Sequence, residues 1–137
     1  MFHKSLVALS FRAAGACYAQ ANVGEVTAAG GVRLTKDDMQ ALYAGGVTVK
    51  STLGNGAPYS QINKADGTVG GTAGDRGQFT LAGTWKIDDA GRFCHDIAAS
   101  GGLKFNNCTI IWKVGEKYFA ALNDSPTTAV RERQFVK

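Results

Sequence analysis

The chain has 137 residues, with 15 Lys and Arg residues against 11 Asp and Glu residues and a formal net charge of +4 at pH 7. This length suits one domain with a single core. The basic residues form no cluster of the kind that a nucleic acid requires. Even the C-terminal run RERQFVK is interrupted by Glu132. We interpret that run as a solvated strand face and expect no nucleic-acid partner.

Residues 1–21 have the layout of a secretory signal peptide. Lys4 precedes an apolar run at residues 6–11, and Ala19-Gln20-Ala21 resembles a cleavage site. The apolar run is too short to cross a bilayer, which takes about 20 residues. We therefore predict an exported protein, periplasmic or extracellular, with no transmembrane segment. Its mature chain is expected to begin at Asn22, or at Gln20 if cleavage follows Ala19.

Two features leave alternatives open for this segment. Arg12 interrupts the apolar region, which would suit an ordinary amphipathic N-terminal segment. Cys17 follows Ala14-Gly15-Ala16, a weak lipoprotein cleavage box that lacks the usual Leu three residues before the cysteine. Removal of the leader takes away Lys4 and Arg12 and no acidic residue, which leaves a net charge of +2.

A short helix is predicted near the start of the mature chain. Residues 22–33 are small, Gly-rich and unpatterned, and we interpret them as a flexible arm. Thr35 is a good N-cap, and Asp37 and Asp38 lie where the helix dipole favours acidic side chains. An apolar stripe ending at Tyr43 and the stop signal at Gly45 complete a helix over residues 36–44. Residues 34–137 are then one β-rich domain.

After Gly46 the pattern has period two, and many of the 18 glycines separate short apolar runs. We expect a mainly β fold, a single antiparallel sandwich or small barrel of about 7–8 strands with one short N-terminal helix. An α+β fold with the helix packed on one sheet is the alternative. The candidate strands are residues 47–52, 59–63, 68–72, 78–87, 92–98, 105–114, 118–122 and 129–136.

Cys94, His95 and Asp96 are consecutive, and together they supply the side chains of a nucleophilic triad. On a strand, however, Cys94 and Asp96 share one face and His95 points to the other. His95 is also the one histidine of the mature chain, which argues against a Cys–His hydrolase and against a zinc site of several histidines. We predict no catalytic residues, no metal site and no cofactor.

A hairpin centred on Gly101 would pair residues whose numbers sum to 202, and so would place Cys94 opposite Cys108. Opposed residues of an antiparallel pair are close enough for a disulfide. We therefore predict a Cys94–Cys108 bond. The tip of the hairpin carries Ser100, Gly101, Gly102 and Lys104, which together form a possible partner-contact loop.

The stretches LTKDDMQALYAGGVTV, ADGTVGG, GTWKIDDAGRFC and IWKVGEKYFA together resemble a family of small exported bacterial domains of unknown function. The likeness covers roughly residues 34–122 and implies export and a mainly β fold, but no activity. ASGGLKF followed by IWKVGE is similar to the loop and turn of periplasmic inhibitors of C-type lysozyme. That likeness implies that Ser100 and Lys104 would enter the lysozyme cleft. The N-terminal helix and the G-T-W strand depart from the inhibitor pattern.

These observations predict a non-enzymatic binding or structural module of the cell envelope or extracellular space, monomeric, with a protein or small-ligand partner. A lysozyme inhibitor is one alternative. The other is a carrier of small hydrophobic ligands, because lipocalin-like barrels also use a G-x-W strand. The aromatic residues of the strands would line a pocket in a carrier. We interpret them instead as core, which is the common role of such residues in small β-domains. They are Tyr59, Trp85, Trp112, Tyr118 and Phe119.

Overall fold

The computed structural model describes residues 20–137, so most of the predicted signal peptide lies outside the described residues. The elements are α1 (Val23–Ala28), β1 (Val32–Arg33), α2 (Lys36–Tyr43), β2 (Val47–Thr52), β3 (Pro58–Asn63), β4 (Thr68–Ala73), β5 (Phe79–Ile87), β6 (Phe93–Ala99), β7 (Lys104–Val114), β8 (Lys117–Ala121) and β9 (Arg131–Val136). No helix in this part of the chain is both long enough and apolar enough to cross a bilayer.

Strands β2 to β9 form a closed antiparallel barrel, which confirms the mainly β prediction. Strands β2 to β7 pair with their neighbours in chain order, and β9 lies between β2 and β8. The barrel closes where β7 pairs with β8, from Ile110 to Val114. The first half of β7, residues 104–109, pairs with β6 alone. That half of β7 therefore has a paired strand on one side only among the described residues.

Two glycines allow neighbouring strands of the wall to approach closely. A Cβ on Gly71 of β4 would lie 2.0 Å from the carbonyl oxygen of Ser60, and Gly71 has a φ of +111°. A Cβ on Gly83 of β5 would lie 2.0 Å from the carbonyl oxygen of Asp96. Both positions bring neighbouring backbones closer than any side chain allows.

Helix α2 has the predicted position and covers one end of the barrel. Thr35 and Asp38 form a capping box, in which each side chain accepts a hydrogen bond from the other residue's backbone N–H. Met39 and Tyr43 are buried and pack into the barrel against residues such as Phe93. This end of the interior is therefore filled.

The predicted flexible arm at residues 22–33 was wrong, and the chain has a second helix there. Asn22 caps α1 by accepting the backbone N–H of Glu25, and Val23 and Val26 are buried. They pack outside the barrel on a cluster that includes Trp112. A helix of six residues has too few apolar positions for its period to be recognised from sequence, so burial rather than pattern holds it in place.

Candidate ligand-binding cavity in the barrel

The end of the barrel opposite α2 contains a cavity of about 360 Å³. Small-molecule sites typically measure about 300–1,000 Å³, are mostly apolar, and carry a few placed polar groups. The cavity opens beside the β2–β3 turn and the segment after β8, which contribute Leu53, Gly54 and Leu122. The apolar and aromatic side chains on its walls include Tyr59, Ala73, Leu81, Ile97 and Phe105, and the polar ones include Gln61, His95, Asn107, Thr109, Arg131 and Arg133.

The inner end of the cavity, which we call its floor, is lined by His95 and Arg133, and both contact an aromatic cluster around Phe93. The ring of Phe93 stacks on Tyr43 with centroids 4.7 Å apart, and meets the His95 ring edge-on at 5.5 Å. The guanidinium carbon of Arg133 lies 5.8 Å from the centre of the same Phe93 ring. Tyr43 belongs to α2, the helix that fills the other end of the barrel. The cluster therefore connects α2 with the polar groups of the cavity.

Arg133 is the most unusual residue of the site, since it is a buried cation. It is 8% exposed, and its Nη1 donates a hydrogen bond of 3.1 Å to Thr109 Oγ1. The three ion pairs between residues 20–137 are Arg33–Asp124, Lys36–Asp89 and Arg92–Asp88, and none includes Arg133. A buried charge without an opposite charge is costly, so Arg133 needs a functional or structural reason.

His95 points into the cavity, as the strand alternation predicts, while Cys94 lies on the outer face. The amide nitrogen of Gln61 lies 3.4 Å from His95 Nδ1 and donates to Asn63 Oδ1 at 2.8 Å. An amide nitrogen can only donate, so Nδ1 accepts and the neutral ring carries its proton on Nε2. That buried Nε2 has no hydrogen-bond partner among the described residues.

The protonation states of His95 and Tyr43 follow from their burial and from the charge of Arg133. Burial, helped by the positive charge of Arg133, lowers the pKa of His95 to about 4, so the ring is neutral at pH 7. Burial raises the pKa of Tyr43, although the charge of Arg133 opposes this shift, so the phenol keeps its proton. The Tyr43 hydroxyl is a second buried polar atom without a partner in residues 20–137.

The predicted disulfide is confirmed. Cys94 and Cys108 are bonded, with their Cα atoms 4.0 Å apart, and β6 pairs with β7 in the predicted register. Asp88 lies close enough to the two sulfurs to be the third member of a metal-binding group, the one such group within residues 20–137. The sulfurs are bonded to each other, however, which leaves only the carboxylate as a ligand.

The predicted contact loop forms the hairpin between β6 and β7. Gly101 and Gly102 have φ values of +87° and +86°, which glycine adopts without strain. The Ser100 hydroxyl accepts the backbone N–H of Thr80 at 2.8 Å, so its side chain is tied to β5. Lys104 is exposed and takes part in none of the described ion pairs. Contact with a partner stays a prediction.

The residues that make the floor polar were not predicted from the sequence. Interpreting RERQFVK as a solvated strand face was wrong for Arg133, which faces the interior between the exposed Glu132 and Gln134. A buried arginine on the inner face of a strand was not expected, because arginine is rarely fully buried. The aromatic residues divide among three places. Trp112 and Phe119 lie outside under α1, Trp85 and Tyr118 pack with the interior cluster, and Tyr59 lines the cavity.

Comparison of the chain with protein-family models, with curated proteins and with solved structures found no match.

Proposed function

We propose that this protein binds a small, largely apolar molecule inside the barrel and does not catalyse a reaction on it. The observation that carries the proposal is the cavity of about 360 Å³ at one end of a barrel whose other end is filled by α2. A barrel interior of eight strands can either be packed completely or hold one small ligand. The open half, lined by residues such as Leu81, Ile97 and Phe105, supports the second alternative.

A neutral hydrophobic dye, N-phenyl-1-naphthylamine, tests this proposal. Its fluorescence should rise on binding to the native protein and return to the free value after denaturation. Ala73 lines the cavity and is 3% exposed, so Ala73→Phe should fill the space and weaken dye binding. Ala98→Phe is the matched control, because Ala98 is exposed on the outer face of β6. Equal dye binding by both folded variants would contradict a cavity site.

Native mass spectrometry of the protein purified from its own host supplies a second test. A bound molecule of defined mass that is lost in Ala73→Phe and kept in Ala98→Phe would support the proposal. The same mass retained by both variants would place that molecule elsewhere on the protein.

We also propose that the protein is exported to an oxidising compartment, periplasmic or extracellular. The disulfide supports this location, because such bonds persist mainly outside the reducing cytosol. The hydrogen bonds of Ala21 favour cleavage after Ala19 over cleavage after Ala21. Its carbonyl accepts the backbone N–H of Val130 at 3.1 Å, and its own N–H donates to Glu25 Oε2 at 2.7 Å. Both bonds are lost if the mature chain begins at Asn22 and are kept if it begins at Gln20.

N-terminal sequencing of the protein recovered from outside the cytoplasm tests this location and this cleavage site together. A sequence that begins at Gln20 is the expected result. A sequence that begins at Asn22 would show that the Ala21 contacts are dispensable, and one that begins at Met1 would contradict cleavage of the leader.

Inhibition of a C-type lysozyme is a second candidate function, favoured by the exposed Lys104 beside a hairpin that the disulfide pins at its base. A rigid cation suits a cleft that contains two carboxylates. Wild-type protein should slow cell-wall lysis at low salt, and Lys104→Ala should not. Lys117→Ala is the control, since Lys117 is an exposed lysine of β8. Undiminished lysis at a large molar excess of wild-type protein would remove this candidate.

A further inference from the structure

We propose that the ligand of the cavity is a monocarboxylic acid with an apolar tail, whose carboxylate is held on the floor of the barrel by Arg133. This inference rests on the proposed function and specifies the chemical class of the ligand.

The cavity carries a net positive charge. Its lining contains Arg131 and Arg133 and includes neither Asp nor Glu. Arg133 is buried, and no carboxylate pairs with it in residues 20–137. An arginine in this setting gains most from a ligand that brings the missing negative charge. Arg131 is exposed nearer the mouth, where one of its nitrogens lies 3.4 Å from the carbonyl oxygen of Gly54.

The floor of the cavity has an excess of hydrogen-bond donors. A guanidinium has five N–H donors, and the hydrogen bond from Arg133 to Thr109 uses one of them. The Nε2–H of His95, which lines the same cavity, is a further donor without a hydrogen-bond partner among the described residues. Both side chains lie against the ring of Phe93. This part of the cavity therefore favours a group that accepts several hydrogen bonds and donates none.

A carboxylate fits these requirements better than a neutral group. Its two oxygens lie in one plane and match two parallel N–H bonds of a guanidinium, and they have lone pairs left for a further donor. The walls above the floor are apolar, with Leu81, Ile97 and Phe105 between the floor and the mouth. The carboxylate of the acid therefore lies at the floor, and its tail points toward the opening. The cavity volume of about 360 Å³ limits the tail to a short or medium chain.

Competition between the neutral dye and two ligands of equal tail length separates the contribution of the carboxylate from that of the apolar tail. Decanoate and 1-decanol have the same tail, and only decanoate carries a charge. On the wild-type protein we expect decanoate to displace N-phenyl-1-naphthylamine at a concentration roughly tenfold or more below that required for decanol. This comparison needs no variant, so it holds whether or not a substituted protein folds.

Two variants locate the charge that recognises the head. Arg133→Gln should bring decanoate and decanol to similar competing concentrations, and Arg133→Lys should keep part of the preference, because it keeps the charge without the two parallel donors. Arg76→Gln is the control. It removes one positive charge from an exposed loop residue outside the cavity lining, and the preference should stay unchanged. Circular dichroism and retained dye binding show that each variant is folded.

The outcomes separate this inference from the proposed function. Dye binding with equal competition by decanoate and decanol would overturn the carboxylate inference and leave the apolar site in place. A decanoate preference that survives in folded Arg133→Gln would overturn the role of Arg133. Failure of the wild-type protein to bind dye, decanoate and decanol would overturn the proposed function, and the inference with it.

Discussion

Arg133 and Thr109 are joined across the barrel interior by a hydrogen bond of 3.1 Å from the guanidinium to the hydroxyl. Both residues are buried, and the Thr109 hydroxyl in turn donates to the carbonyl oxygen of Phe93 at 3.5 Å. The threonine thus fixes the guanidinium over the aromatic floor. The position of the one buried arginine in residues 20–137 therefore depends on a side chain from another strand.

Thr109→Val should destabilise the protein, because it keeps the shape of the side chain and removes the acceptor of a buried cation. The expected loss is about 1 to 3 kcal/mol in the free energy of unfolding, measured by urea denaturation. Thr84→Val is the matched control, since Thr84 is exposed on β5, and it should change stability by less than about 0.5 kcal/mol. Similar losses for both would show that the Arg133 contact is unimportant for folding.

The disulfide should contribute to stability through the unfolded chain. It closes a loop with a sequence separation of 14. In the chain-entropy model a loop of this size corresponds to about 3 kcal/mol. The double variant Cys94→Ala, Cys108→Ala should unfold at a correspondingly lower urea concentration. Reductant should move the wild-type transition to that of the double variant and leave the variant unaffected. A wild-type transition insensitive to complete reduction would contradict this prediction.

His95 should make stability depend on pH below neutrality. Its folded pKa of about 4 lies below the ordinary value of 6.5, so the unfolded chain binds the proton first as pH falls. The stabilisation is fully present above pH 6.5 and is lost progressively as the pH falls toward 4. The loss should be on the order of 2 to 3 kcal/mol, since each pKa unit corresponds to about 1.4 kcal/mol.

The His95 prediction is checked by urea denaturation at a series of pH values, with His95→Gln as the comparison. The window between about pH 6.5 and 5 is the informative one, because the carboxylates titrate mainly below it. The variant should show a much flatter dependence there. An equally steep dependence in the variant would assign the effect to other groups.

Helix α1 should be part of the cooperative unit, contrary to the arm that the sequence predicts. Val26 is fully buried, so Val26→Ala should cost about 2 kcal/mol from the lost methyl groups and the space they leave. Val32 lies in the same segment and is 65% exposed, so Val32→Ala should have little effect. Amide hydrogen exchange of residues 23–28 as fast as in an unstructured peptide would contradict this prediction.

Strong, regular signals in the sequence account for most of the fold. The period-two runs and their glycine turns located strands β2 to β9, and the β6–β7 register followed from the turn and the two cysteines. The capping residues located α2. Barrel closure could not be derived, because it depends on β7 pairing with β8 beyond the end of β6, which is a tertiary relationship. Helix α1 was not predicted, because its two buried valines are buried by packing on a cluster that includes Trp112, which is a tertiary contact.

The candidate site was much less accessible to sequence reasoning than the fold. Alternation along β6 predicted that His95 would face away from Cys94, and His95 lines the cavity. Nothing in the sequence of β9 showed that Arg133 faces inward, because charged residues occupy both faces of that strand. The cavity itself reflects how far α2 fills the barrel, which depends on the three-dimensional packing of Tyr43 and Phe93.

The close backbone contacts at Gly71 and Gly83 have a consequence for how this barrel can diverge. Any side chain at either position would overlap the backbone of the adjacent strand, at a Cβ distance of 2.0 Å. Substitutions on the walls of the cavity can alter the ligand and leave the curvature intact, but these two positions have no such freedom. We therefore expect relatives with this architecture to diverge at Arg133 and His95 as their ligands change, and to retain glycine at both positions. The glycine pair would then stay recognisable after most other residues have changed.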